Sequence, residues 1–458
     1  MKEKIIIGFL CSVVIVLRLL GACEGPNGRS IQNSFEDKLR IHEDTYVVAQ
    51  SDTDSEYQFV AGKADSSEQE DKINLYSLSA CMIDADSGRI IYGKNQSEIR
   101  AMASTTKILT CLIALENCSM DDIVTVSEYA ASMPDVQLNM KAGEQFRLYD
   151  LLLSLMLESH NDTAVAIAEH VGGSVACFCD MMTKRAMEIG CIKSVFLTPN
   201  GLDKEVVTEE GIKKHSTTAE ELALILRECL KNEQFVAICR TKNAMISNVE
   251  KSRTYQLSNH NSLLSTMEGA IAGKTGFTCD AGYCYVGAVE RNGARYICAL
   301  LGCGWPNNKN YKWYDMNVLI DYAEDNCRKV EIPMELVNEK LLQDVPVYNG
   351  KLLNLPIDKI TLCRTEQLSI NEFVVKEGEE LKLIYELPSG LQAPIDKDEV
   401  VGKIHYTING QTLMTESLTV GTTIYKLQLK DYFNLVCRCF SLNYSSSEES
   451  VSSEKWVS

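Results

Sequence analysis

Positive charge is scarce in this chain: 45 lysines and arginines face 63 acids, a net charge of −18, and no basic cluster offsets it. A polyphosphate would be repelled rather than steered in, which argues against a nucleic-acid partner. Histidine is rare too, with six in the chain, and no Gly-x-Ser-x-Gly elbow occurs. A conventional Ser-His-Asp hydrolase therefore has little to build on. The adjacency of Ser159, His160 and Asp162 does not supply a triad, because a triad needs converging side chains rather than neighbouring positions. The 18 cysteines lack the spacing of a disulfide framework. Positions such as Cys111, Cys229, Cys298 and Cys327 sit in apolar runs and read as small buried hydrophobes. The Cys177/Cys179 and Cys437/Cys439 pairs have no partners at metal-site spacing, so neither a metal nor a cofactor is expected.

What remains is a chain of 458 residues with 45% apolar content, long enough for two cored domains. Residues 1–23 open with Lys2 and Lys4, run apolar from Ile5 to Leu20 around Arg18, and end Leu20-Gly21-Ala22-Cys23. This pattern reads as an export signal. Its last four residues also resemble a lipoprotein processing site, with Cys23 lipidated. Residues 24–75 are polar and read as a flexible tether. Within 76–330, Ala80–Ile83 and Arg89–Tyr92 predict a hairpin. Thr105–Glu116, Leu148–His170, Val175–Gly190 and Thr218–Lys231 carry helical patterns, and two apolar strands flank Arg291-Asn292-Gly293. The two hairpins are expected in one antiparallel sheet layered with helices. Residues 331–424 hold short strands parted by turns, predicting a small β-sandwich-like domain. Residues 425–444 place Leu427, Leu429, Phe433, Val436, Phe440 and Leu442 on a helical pattern, open to lying on a membrane or packing as a terminal helix. Residues 445–458 read as a disordered tail.

Three motifs carry chemistry. Ser104 and Lys107 stand three apart at a helix start, on nearly one face; a neutral lysine amine there can take the serine proton. The same spacing recurs at Ser452 and Lys455, so this signal is weak alone. Ser159-His160-Asn161, seated between the apolar stretch Leu151–Leu157 and a helix expected to start near Thr163, offers a hydroxyl to relay a proton and an amide to hold Lys107, against the plainer reading of helix capping. Lys274-Thr275-Gly276, preceded by Gly273 and followed by Phe277 and Thr278, offers charge, hydroxyls and close backbone approach to a substrate carboxylate. On an edge strand facing Ser104, the N–H of Phe277 and that of Ser104 would form an oxyanion hole.

These motifs, together with the segments Met102–Ile108, Thr198–Asp203, Ser216–Ala219, Gly273–Thr278 and Ala281–Cys284, resemble the low-molecular-weight penicillin-binding proteins, the serine-type D-alanyl-D-alanine carboxypeptidases of the S11 peptidase type. The resemblance implies a serine β-lactamase/transpeptidase-like mixed α/β domain followed by a small all-β domain. It implies an acyl-enzyme on Ser104, with Lys107 as general base and Ser159 and Asn161 in the second motif. Lys274, Thr275, Gly276 and Thr278 would receive substrate. The implied partners are peptidoglycan stem peptides, with β-lactams as inhibitors, outside the cytoplasmic membrane; contact with that membrane would come through the C-terminal helix or Cys23. His160 and Asn200 stand where the family usually has glycine and histidine, and His160 is expected to put bulk beside the cleft. A DD-endopeptidase and a non-catalytic wall-binding or penicillin-sensing protein are the competing readings. A class A β-lactamase is disfavoured because its Glu-x-x-Leu-Asn element is missing between Asn161 and Lys274.

Overall fold

The computed structural model describes residues 46–50, 56–61 and 73–437, apart from Asp135, Glu210, 332–341, Asn354, 366–371 and Glu380. The export signal, most of the tether and the tail lie outside the described residues.

A five-stranded sheet organises residues 73–331. Its strands are β1 (Ser79–Asp84), β2 (Ile90–Lys94), β3 (Ala270–Thr278), β4 (Gly282–Arg291) and β5 (Ala294–Leu301), in the spatial order β3-β4-β5-β1-β2. Every pairing is antiparallel. The expected joining of the two hairpins occurs between β1 and β5, where Tyr296 faces Asp84 and Leu301 faces Ser79. Both hairpin turns follow from side-chain chemistry. The Asp84 carboxylate collects the Asp86 and Ser87 N–H groups. Asn292 and Gly293 both take positive φ, the geometry a tight hairpin requires.

Side-chain alternation assigns the two faces of the sheet. Cys81, Ile83, Val286, Ala288, Ile297 and Ala299 enter one core with most of the helices. Ala80, Met82, Tyr285, Val289, Cys298 and Leu300 enter the other, with Met316, Leu319 and Ala323. The longer helices packed on this sheet are α1 (Lys107–Asn117), α2 (Leu148–Leu157), α3 (Asn161–Gly172), α4 (Val175–Ile189), α5 (Ala219–Cys229), α6 (Glu233–Arg240) and α7 (Tyr311–Asn326). Lys107 through Ala114 are all buried, marking α1 as a central helix that is apolar all round. The cap of α5 is Thr218, whose side chain accepts from the Glu221 N–H.

Two expectations change. Within the Leu148–His170 pattern the second helix starts at Asn161 rather than near Thr163: Ser159 adopts φ +71°, and this left-handed residue parts α2 from α3. The stretch 24–75 is not wholly a tether either. It contains strands Tyr46–Gln50 and Glu56–Ala61, the second paired with Leu381–Glu386; aromatic and branched residues in these short segments favour extended structure over the polar average around them. The C-terminal β-rich region packs Phe373, Leu383, Tyr385, Ile404, Tyr406 and Leu418 into its own core.

Cys81, Cys111, Cys229, Cys298 and Cys303 are buried free thiols. Burial pushes the Cys239 and Cys284 thiols up to about 12, so they pack as neutral apolar groups.

The start of β1 is anchored on α7. The fully buried Asp315 carboxylate accepts the Tyr76 N–H at 2.9 Å and the Ser77 N–H at 2.7 Å. Asp315→Ala leaves both donors unmatched, and the expected cost is about 3 kcal/mol in denaturant unfolding of the full chain; a change within a few tenths of that of a surface alanine would refute the anchor.

Candidate active site

Ser104 lies in a single 3₁₀ turn, Ala103–Thr106, that runs directly into α1. The turn begins with strain, since Ala103 has φ +49°. What holds it is close packing on two sides. A Cβ added to Gly201 (φ +85°) would stand 2.0 Å from the Ala103 carbonyl oxygen, and one added to Gly276 would stand 2.8 Å from the Ser104 nitrogen. Glycine is required at both positions by space, and at Gly201 also by conformation.

A hydrogen-bond chain supports the same turn from below. His215 Nδ1 accepts the Leu197 N–H at 3.0 Å. That fixes the ring proton on Nε2, which therefore donates to Thr106 Oγ1 at 2.8 Å. Thr106 Oγ1 in turn donates to the Ala103 carbonyl at 2.8 Å. Burial, then the charges of Lys107 and Lys204, hold the His215 imidazole down to about 3, so the neutral tautomer persists at any working pH.

Lys107 is fully buried. Its Nζ reaches Ser104 Oγ at 2.8 Å, Asn161 Oδ1 at 2.9 Å and the Asn200 carbonyl at 2.5 Å. Burial first, then the positive charge of Lys274, hold its amine well below the ordinary value, with Asp162 opposing. The two acceptors decide the geometry of the neutral amine. Asn161 Nδ2 is spent on the Pro134 carbonyl at 3.1 Å, so its Oδ1 must be the atom facing Lys107. The Asn200 carbonyl is an acceptor by nature. With the amine neutral, its two N–H bonds can go to these oxygens and leave the lone pair toward Ser104 Oγ, whose hydroxyl also reaches the Asn200 carbonyl at 3.3 Å.

Asn161 is the first residue of α3, whose N-cap is His160 with no side-chain cap. Helix capping is thus not the role of Ser159 or Asn161. Ser159 Oγ is buried with no hydrogen-bond partner among the described residues, a hydroxyl left uncommitted within the second motif. His160 does not place its bulk beside the cleft as expected. Its imidazole is buried and turned into the helical layer, with Nδ1 at 2.8 Å from Ser154 Oγ and Nε2 at 3.4 Å from Glu158.

Lys274, Thr275 and Gly276 lie on β3, the edge strand of the sheet. The Gly273 N–H is turned toward the Cys239 sulfur, on the side of β3 away from β4. With the register unbroken from Ala272 to Thr278, alternation turns the N–H of Phe277 to that same free edge. Lys274 is buried, with Nζ on the Thr275 carbonyl at 2.9 Å, and burial pushes its amine down to about 7. Thr275 stands half-buried beside it, and Phe277 is exposed against Tyr283. Thr278 is differently committed: its hydroxyl donates to Asp203 at 3.1 Å and accepts from Ala281. The structure thus brings Ser104, Lys107, Asn161 and the β3 edge together. The Asn200 carbonyl, Gly201, Thr106 and His215 escaped the sequence reading as parts of this site. Only Gly201 carried a usable signal, as a glycine after asparagine at a turn.

Residues 64–304 match the family model described as D-alanyl-D-alanine carboxypeptidase. The chain belongs to that family. Residues 337–426 match the model of the penicillin-binding protein 5 C-terminal domain. The D-alanyl-D-alanine carboxypeptidase DacF of Bacillus subtilis is 30% identical over 344 residues, 73% of this chain and 82% of that protein. The structure of a D-alanyl-D-alanine carboxypeptidase from Mycobacterium tuberculosis superimposes with TM-score 0.51 at 27% identity, over 55% of this chain and 92% of that one. Penicillin-binding protein 5 of Haemophilus influenzae shares the fold across 78% of this chain and 99% of its own, with TM-score 0.60 at 23% identity.

The Lys274 amine yields a pH dependence. It is cationic below about 7 and neutral above, so a peptide carboxylate beside it loses its counter-charge as pH rises through that value. The expected kcat/KM for a D-Ala-D-Ala-ended peptide falls with rising pH on a limb near 7, and Lys274→Arg, which stays charged, moves that limb out of range. An unchanged limb in the arginine variant would assign it to another group.

Proposed function

We propose that Ser104 is the nucleophile of a serine-type D-alanyl-D-alanine carboxypeptidase that removes the terminal D-alanine from peptidoglycan stem peptides. Family membership supplies the reaction class. The observation that carries the residue assignment is the Lys107 amine, 2.8 Å from Ser104 Oγ with its other hydrogen-bonding directions held by Asn161 and Asn200.

In this reading neutral Lys107 takes the Ser104 proton as Oγ attacks the carbonyl carbon of the penultimate D-alanine. The oxyanion is stabilised by the N–H groups of Ser104 and Phe277. Lys274 and Thr275 receive the terminal carboxylate, Gly276 allows the strand to come close, and Thr278, through Asp203, shapes the end of the cleft. The proton passes from Lys107 through the uncommitted Ser159 hydroxyl to the leaving amine, and D-alanine departs. Water then attacks the ester by the reverse route. A β-lactam acylates the same Ser104 Oγ as its ring C–N bond opens, but the amine so released stays tethered in place. No step needs a metal or cofactor. The work is done outside the cytoplasmic membrane, and removal of the export signal or lipidation of Cys23 belongs to the same proposal.

Intact-protein mass spectrometry after incubation with benzylpenicillin tests the nucleophile. The full chain is expected to gain one penicilloyl mass and Ser104→Ala none; an adduct persisting on the alanine variant refutes the assignment. Release of free D-alanine from a pentapeptide supports the carboxypeptidase, whereas cleavage confined to a cross-linked dimer supports the endopeptidase.

For membrane contact, the supporting feature is a helix over residues 429–437 that leaves Leu429 88% and Phe433 66% exposed. Among the described residues no single helix is long and apolar enough to cross a membrane, so the contact would be along the surface. The double variant Leu429→Glu, Phe433→Glu is expected to lose flotation with anionic vesicles while retaining activity on soluble peptide. Flotation equal to that of the unaltered chain would assign the contact elsewhere.

A further inference from the structure

Helices α1 and α3 run side by side in the same direction. Their N-termini meet at the Lys107–Asn161 hydrogen bond of 2.9 Å. About 17 Å further on, at 1.5 Å rise per residue, their C-terminal ends meet again. There Cys118 caps α1 and His170 stands in the last turn of α3. Asp122 lies in the turn just after α1, fastened by the Ser119 N–H to its Oδ2 at 3.2 Å. The Cys118 sulfur, an Asp122 carboxylate oxygen and a His170 ring nitrogen all fall within 4.8 Å of one another, and the nitrogen-to-oxygen distance is 3.6 Å. None of the three contacts the reacting groups.

We propose that Cys118, Asp122 and His170 form a binding site for a zinc-class divalent cation, with the remaining position open to water. Three features of the place support it. One sulfur, one imidazole nitrogen and one carboxylate oxygen are a donor set suited to borderline d-block ions rather than calcium or magnesium. Tetrahedral bonds of roughly 2.0–2.3 Å put ligand atoms about 3.5 Å apart, close to the His170–Asp122 separation already present. The carbonyl ends of two helices converge on the spot, and the partial negative charge of each favours a cation. Burial, then the charge and hydrogen bond of Asp122, hold the Cys118 thiol above its ordinary value, so binding exchanges the thiol proton for the metal and releases it to solvent. The bound ion would pin the far ends of the two helices whose near ends carry Lys107 and Asn161.

Cobalt(II) added to the reduced, metal-free full chain is the test. The expected result is a thiolate-to-cobalt charge-transfer band in the near ultraviolet with tetrahedral bands in the visible, at one ion per chain and displaced by zinc. Cys118→Ser should abolish them, and His170→Ala and Asp122→Asn should each weaken binding at least tenfold. Zinc at a hundredfold excess over its Kd should raise the Tm by roughly 5 °C, and Cys118→Ser should lose this rise while keeping metal-free activity. No band, a band that survives Cys118→Ser, or one that needs Cys118 but neither His170 nor Asp122 would overturn the proposal. The second outcome would move the ion to one of the exposed cysteines, such as Cys177, Cys279 or Cys363.

Discussion

A lysine side chain with no exposure to water is the constraint around which this molecule is arranged. An ammonium at that depth is costly unless its bonding directions are met or its proton is given up. Lys107 has both resources: three oxygens around Nζ and a depressed affinity for its proton. Each oxygen is delivered by a different part of the chain, Ser104 from the turn before α1, Asn161 from the start of α3, and Asn200 from the loop that also supplies Gly201. The site therefore exists only when the helical layer, that loop and the edge strand are assembled together.

The supporting parts share a logic of close backbone approach. The strained Ala103 is wedged against Gly201, while β3 presses Gly276 onto the Ser104 amide. Beneath them the His215–Thr106–Ala103 chain fixes the carbonyl of the strained residue with groups that have only one consistent arrangement of protons. Ser104 is thus placed by contacts that tolerate no added methyl group, which is how a turn keeps an unfavourable φ.

The sequence revealed those parts of the site that depend on local spacing. Ser104 and Lys107 sit one helical turn apart, and the glycines flanking Lys274 and Thr275 announce a strand approached closely by another group. The sheet was legible for the same reason, through period-2 apolar runs and the Asn292-Gly293 turn. What stayed hidden depends on contacts across the chain. The Asn200 carbonyl has no side-chain signature, and His215 becomes part of the site only because folding brings it under Thr106. The break after Leu157 was legible too, because the polar run from Glu158 to Thr163 interrupts the apolar pattern; the left-handed turn of Ser159 that makes it was not. His160 looked like bulk beside a cleft because a residue next to a motif gives no sign of which way its side chain turns. The strand Glu56–Ala61 was masked by the polar composition around it.

The free cysteines bear on how such a chain reaches its final state. Where the described thiols are buried they fill space as a methyl group would, and no covalent link between distant segments fixes their pairing. Assembly of the described fold is then governed by burial of apolar surface and contains no oxidation step. The described core can therefore form in a medium without oxidant, and a reducing environment takes nothing from the packing of its buried thiols.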